Sequence, residues 1–65
     1  MSTGEALRHA LDSRDIEEIN RVVEFMERIG NDPDQIWGMV EKVCPSMSRA
    51  EWDIMARKCR EVGRG

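Results

Sequence analysis

The stretch PSMSRAEW, Pro45 to Trp52, separates two amphipathic segments and decides where one helix ends and the next begins. Pro45 cannot continue a helix, because it lacks a backbone N–H and its ring clashes with the preceding turn. Ser48 and Glu51 have the spacing of a capping box, in which each side chain accepts a hydrogen bond from the other residue's backbone N–H. Met47 and Trp52 occupy the positions of a hydrophobic staple across the same boundary. The sequence therefore predicts a helix that begins at about residue 49.

Three further helices are predicted before this point, because apolar residues recur there with the helical period. The N-terminal one is short, from about Gly4 to Leu11. No segment alternates with period two, so we expect an all-α fold in a single domain of residues 1–65. Its short connections predict that consecutive helices are neighbours, with the last two forming a tight hairpin. The predicted fold is a small bundle of three main helices plus the short N-terminal helix, the main ones spanning about 14–29, 33–44 and 49–62.

The ends of these helices carry their own signals. Gly30 is expected to end the second helix in the left-handed conformation. Asp32 is expected to cap the third helix, and Gln35 to close a capping box with it. Gly63 is the expected C-cap of the last helix.

The second predicted helix is unusually apolar, over roughly half of its surface. The other half carries Glu17–Arg21 and Glu24–Arg28, two expected i,i+4 ion pairs. An apolar arc this wide is typical of the central helix of a domain or of half of a dimer interface. We therefore expect a homodimer that associates through helix 14–29. The arc consists of Ile16, Ile19, Val22, Val23, Phe25, Met26 and Ile29.

Charge is distributed unevenly along the 65 residues, whose formal net charge is −3. Residues 1–45 hold ten acidic and five basic side chains, whereas residues 46–65 hold five basic and three acidic ones. There is no apolar segment of signal-peptide or transmembrane character, so we expect a cytoplasmic protein without membrane contact. In that compartment Cys44 and Cys59 are expected to be reduced and to serve as small core residues. With His9 the only histidine, no metal site or cofactor is predicted.

The basic end of the chain raises the alternative of a helix-turn-helix DNA-binding regulator, with helix 49–62 reading the nucleic acid. Against it, the connection lacks the glycine often found in that turn. Asp53 would face the phosphates, and the protein as a whole is acidic. The residues that would contact nucleic acid are Arg49, Arg57, Arg60 and Arg64.

No catalytic motif is present, and the surface carboxylates have no predicted pocket around them, so we expect no enzymatic activity. The leading interpretation is a small protein-interaction module, an adaptor, regulator or inhibitor that occupies the surface of another protein. Its expected partner-binding residues are Trp37, Met39 and Ile54. Trp37 and Met39 lie at the two edges of the apolar side of the third helix. Ile54 points away from the inner face of the last helix, which is expected to consist of Trp52, Met55, Ala56, Cys59 and Val62. In size, acidity and lack of catalytic motifs the chain is similar to small accessory and inhibitor proteins of bacteria, phages and plasmids, including anti-host factors. No shared motif accompanies that likeness.

Overall fold

The structure is a computed structural model that describes residues 2–64, with side chains described for residues 2–63. It contains four helices and, within these residues, no strand, which confirms the all-α fold class. The N-terminal helix is a correction to the prediction. At 11 residues it is as long as the third helix, so the fold has four comparable helices rather than three and a short one. They are α1 (Thr3–Ser13), α2 (Ile16–Arg28), α3 (Pro33–Val43) and α4 (Arg49–Arg64).

Side-chain caps explain where the helices begin. The backbone N–H of Gln35 donates to Asp32 Oδ1 at 2.9 Å, and that of Asp32 donates to Gln35 Oε1 at 2.8 Å, which confirms the capping box of α3. Ser48 and Glu51 form the corresponding box at α4, with backbone donors 3.1 and 3.4 Å from their acceptors. At α2 the cap is Asp15. The helix therefore begins at residue 16, two residues after the predicted start.

The two glycines that were expected to end helices, Gly30 and Gly63, lie in different conformations. Gly30 follows the end of α2 with φ +104°, as predicted. Gly63 is not a C-cap, because α4 continues through it to Arg64. A Cβ at Gly63 would lie 3.5 Å from both Asn20 Nδ2 and Glu24 Oε1, so this glycine lies against α2. Gly63 therefore lies within α4, at its contact with α2, and not at the helix end.

The close helix pairs are α2 with α4, α1 with α2, and α1 with α3. The prediction that consecutive helices are neighbours holds for α1 with α2 and is wrong for α2 with α3. The predicted tight hairpin of α3 and α4 is wrong as well, since neither pair of backbones approaches as closely as the three close pairs. The apolar side of α3 packs on α1 instead, where Met39 Sδ lies 3.5 Å from a Cβ built at Gly4. The buried core draws on all four helices and consists of Leu7, Ala10, Leu11, Ile19, Met26, Ile36, Val40, Trp52 and Cys59.

Most of the wide apolar arc of α2 is buried or half-buried in the protein interior. Ile19 and Met26, at its centre, are buried, which makes α2 a central helix that packs on both α1 and α4. Phe25 and Ile29, at its edge, stay 48% and 59% exposed. The expected i,i+4 ion pairs of α2 do not form, because Arg49–Asp53 is the only ion pair among the described residues. None of the described helices is long and apolar enough to cross a bilayer.

Candidate interaction surfaces

The arginines of α4 share one side of the helix. At about 100° per residue, positions 49, 57, 60 and 64 fall within about 80° of arc. The side chains of Arg49, Arg57 and Arg60 are exposed. The side chain of Arg64 lies outside the described residues. Asp53 occupies the middle of the same arc and is also exposed, so this basic side of α4 carries a carboxylate at its centre.

One of these arginines is held by the protein's own residues. The guanidinium carbon of Arg49 lies 5.5 Å from the centre of the Trp37 ring, which is cation–π distance. Its Nε donates a hydrogen bond to Asp53 Oδ1 at 3.2 Å. Both members of the ion pair are more than half exposed, so the pair adds little energy, but it fixes where the guanidinium lies.

A cleft of about 120 Å³ lies beside this contact, between α2, α4 and the start of α3. Its apolar part includes Val23, Ile36 and Trp52, and its charged part includes Glu27 and Arg60. The volume falls well below the roughly 300 Å³ of the smallest ordinary ligand pockets. The cleft therefore accommodates water or a single side chain. Within the described part of the chain, no group of three or more His, Cys, Asp or Glu side chains is placed to hold a metal ion.

The three residues expected to bind a partner lie on separate surfaces. Trp37 is half-buried on α3, under Arg49. Met39 is half-buried on the opposite side of α3, against the first turn of α1. Ile54 is 55% exposed on the outer side of α4. The structure does not bring these three side chains together, so a partner that contacts Ile54 lies away from Met39.

A second exposed apolar residue lies on the same side of α4 as Ile54, although its spacing predicts that it faces the inside of the bundle. Val62, two helical turns further along α4, is 43% exposed instead of buried. Lys58 lies between them at the i+4 position. Half-buried Met55 and Ile16 form the floor of a shallow groove beside Ile54, which also includes Arg14 and Glu51. We call the outer side of α4 formed by Ile54, Met55, Lys58 and Val62 the α4 edge.

The two cysteines are free thiols in different surroundings. Cys59 is buried in the core, as expected, and burial raises its pKa because desolvation penalises the thiolate. Its Sγ lies 3.9 Å from the carbonyl oxygen of Ile16, at the contact of α4 with α2. Cys44 is only half-buried, at the end of α3. A buried thiol with a raised pKa is a poor nucleophile, so Cys59 has a packing role.

Comparison with protein-family models, curated proteins and solved structures found no match to this chain.

Proposed function

We propose that this protein is a non-enzymatic interaction module that acts by occupying the surface of another protein. The observation that carries the proposal is the α4 edge, where Ile54 and Val62 are both about half exposed on one side of a single helix. Scattered exposed apolar residues are common on any protein. Here two of them lie on one side of a single helix, with half-buried Met55 beside Ile54 and with Lys58 between Ile54 and Val62.

The surroundings of this edge have the composition of a protein interface. Its centre is apolar and contains methionine, which adapts its shape to different partners. Arg14 and Glu51 border the groove beside Ile54, and Lys58 lies between Ile54 and Val62, so charges of both signs surround these apolar side chains. An apolar centre inside a charged rim is the usual arrangement at protein–protein contacts. A role as an accessory or inhibitor protein, of the kind made by bacteria and phages, requires only such a surface and forms part of the proposal.

Nucleic-acid binding is the second candidate, and one observation favours it: the arginines of α4 lie on one side. Two observations weigh against it. Asp53 lies in the middle of that side, and Arg49 is already engaged by Trp37. The helix-turn-helix motif is disfavoured further, because it joins two packed helices by a turn of about three or four residues. In this protein five residues separate α3 from α4, and the two helices do not pack closely.

The deciding experiment compares two kinds of variant for a partner recovered from the native host. Ile54→Ala removes the apolar centre of the α4 edge, whereas Arg57→Ala/Arg60→Ala removes two exposed arginines. Under the proposal, Ile54→Ala weakens binding by at least about 2 kcal/mol, since such anchors dominate interface energies. Ile29→Ala, which truncates an equally exposed isoleucine on α2, is the matched control. It should leave partner binding unchanged when binding is measured at a concentration at which the chain is monomeric.

The salt dependence of the binding affinity distinguishes the two candidate functions. A nucleic-acid complex loses affinity steeply between low and moderate salt, because phosphate contacts release counterions. The double arginine variant would then abolish binding while Ile54→Ala has little effect. That pattern would refute the interaction proposal and establish the second candidate in its place.

Self-association through α2 remains part of the proposal, in a narrower form. The centre of the apolar arc is covered by α1 and α4, so only its edge, with Phe25 and Ile29, is available to a second copy. Sedimentation across micromolar concentrations tests this directly. A monomer of 7.5 kDa at every concentration would remove the homodimer.

A further inference from the structure

The exposed edge of α2 carries charges that have no partner within the described chain. Arg21 and Arg28 are exposed, and Glu18 is half-buried. None of the three takes part in the only ion pair among the described residues, which joins Arg49 to Asp53. Glu24, the expected i+4 partner of Arg28, instead accepts a hydrogen bond from Asn20 Nδ2 at 3.1 Å. This side of α2 therefore presents one acidic side chain, two basic side chains and the half-exposed ring of Phe25.

These four side chains share one side of the helix. Residues 18, 21, 25 and 28 are spaced three, four and three apart, so at about 100° per residue they fall within about 80° of arc. Along the helix the order is one negative side chain, one positive side chain, the aromatic ring and a second positive side chain. Ile29 adjoins Phe25 on the same edge and is still more exposed. We call this surface of Glu18, Arg21, Phe25 and Arg28 the α2 edge.

The α2 edge is complementary to itself in one orientation. In a two-fold dimer each contact occurs twice, with residue i of one copy on residue j of the other. When two α2 helices lie antiparallel about position 23, Glu18 faces Arg28 of the second copy. The same axis places Arg21 opposite Phe25, an arrangement suited to a cation–π contact. A parallel arrangement would instead place Arg21 on Arg21 and Arg28 on Arg28.

We propose that two copies of this chain pair through antiparallel α2 edges centred on position 23, with Glu18–Arg28 and Arg21–Phe25 contacts between copies. This inference rests on the proposed self-association and specifies its register. The two Phe25 rings lie about 6 Å apart along the helix axis, within the range of aromatic pairs. Apolar burial of Phe25 and Ile29 supplies the attraction, and the charges select the antiparallel register.

The test is a charge exchange followed by analytical ultracentrifugation and native mass spectrometry of the full chain. Glu18→Arg places two arginines opposite each other at both ends of the dimer, and Arg28→Glu places two glutamates there. Each variant alone should raise the dimer dissociation constant at least about tenfold. An equimolar mixture of the two variants should restore the dimer as a heterodimer, because both facing pairs are again of opposite sign.

Glu27→Arg is the matched control. It makes the same change of charge on α2, beside Arg28 in sequence, but Glu27 is exposed about 140° around the helix from the middle of the α2 edge. It should leave dimerisation unchanged, and circular dichroism should show the same helix content for all variants.

Two outcomes would overturn this inference, and they differ from each other. If the wild-type chain is monomeric at every concentration, the proposed self-association itself fails. If the wild type dimerises but the mixed variants do not form a heterodimer, the dimer stands and the register is wrong. Neither outcome bears on partner binding through the α4 edge.

Discussion

The guanidinium of Arg49 lies 5.5 Å from the centre of the Trp37 ring, and this contact joins two helices whose backbones stay apart. Arg49 is the first residue of α4, and Trp37 lies in the middle of α3. The hydrogen bond from Arg49 Nε to Asp53 holds the side chain in place over the ring. Arg49, which the DNA-binding alternative places on phosphates, thus has a structural contact within its own chain.

Arg49→Ala should lower the free energy of unfolding by about 0.5–1 kcal/mol, the usual strength of an exposed cation–π contact. Arg57→Ala is the control, since Arg57 is exposed on the same side of α4 and makes no ion pair among the described residues. Its effect should stay within about 0.5 kcal/mol. Urea denaturation measures both variants, and equal losses would show that the Trp37 contact contributes nothing.

Ser48→Ala should cost about 1 kcal/mol, because Ser48 Oγ accepts the backbone N–H of Glu51 at 3.1 Å and thereby caps α4. Ser46→Ala is a suitable control. Ser46 is exposed in the same connection, and its hydroxyl has only a long 3.9 Å contact with the Cys44 sulfur. Thermal melts of the two variants should differ by several degrees. Identical melts would contradict the cap.

The two cysteines should react at very different rates with a thiol reagent under native conditions. Cys44 is half-buried and should react quickly, whereas Cys59 should react only when the protein opens. Removing the first thiol with Cys44→Ser isolates the slow reaction, and denaturant should abolish the difference. Fast labelling of Cys59 in the folded protein would contradict its burial.

Burial of Cys59 also predicts a loss of stability at alkaline pH. Because burial raises its pKa, the folded protein retains the thiol proton at a pH where the unfolded chain has lost it. This contribution is fully present below the ordinary thiol pKa of about 8.5 and declines as the pH rises above it. Denaturation at pH 7.5 and pH 10 measures the decline, and Cys59→Ala should remove the part due to this thiol.

Gly38→Ala and Gly30→Ala should change stability in opposite directions. Gly38 lies inside α3 with nothing within 4 Å of an added Cβ, so alanine should stabilise the helix by about 0.5–1 kcal/mol. Gly30 has equal space but φ +104°, which alanine adopts only with strain. Chemical denaturation of both variants tests the contrast. A stabilising Gly30→Ala would mean that the turn after α2 is wrongly described.

The helix starts could be predicted well because the residues that determine them are local. Asp32 with Gln35 and Ser48 with Glu51 satisfy backbone N–H groups three residues away, so sequence spacing alone is sufficient. The length of α1 and its contribution to the core could not be predicted in the same way. Its core residues are Leu7, Ala10 and Leu11, a modest apolar set whose burial depends on α2 and α3 packing on both sides.

The misassigned residues are those whose surroundings come from distant parts of the chain. Gly63 has the residue type of a C-cap, but α4 continues through it to Arg64, and this turn lies beside Asn20 of α2. Val62 fits the inner side of α4 by its spacing and is nevertheless 43% exposed. The spacing of the arginines on α4 could be derived from the sequence. The engagement of Arg49 by Trp37 could not, since it depends on how α3 and α4 are placed by their partners.

The pairing of α1 with α2 has a consequence for the route by which the chain folds. Only residues 14 and 15 separate these helices, so bringing them together closes a very short loop at small entropic cost. A pair formed by α1 and α2 already presents the surfaces on which the other helices pack in the folded protein, α3 on α1 and α4 on α2. During synthesis the helices leave the ribosome in the order in which they can dock, so the nascent chain need not wait for its last segment before structure begins to form.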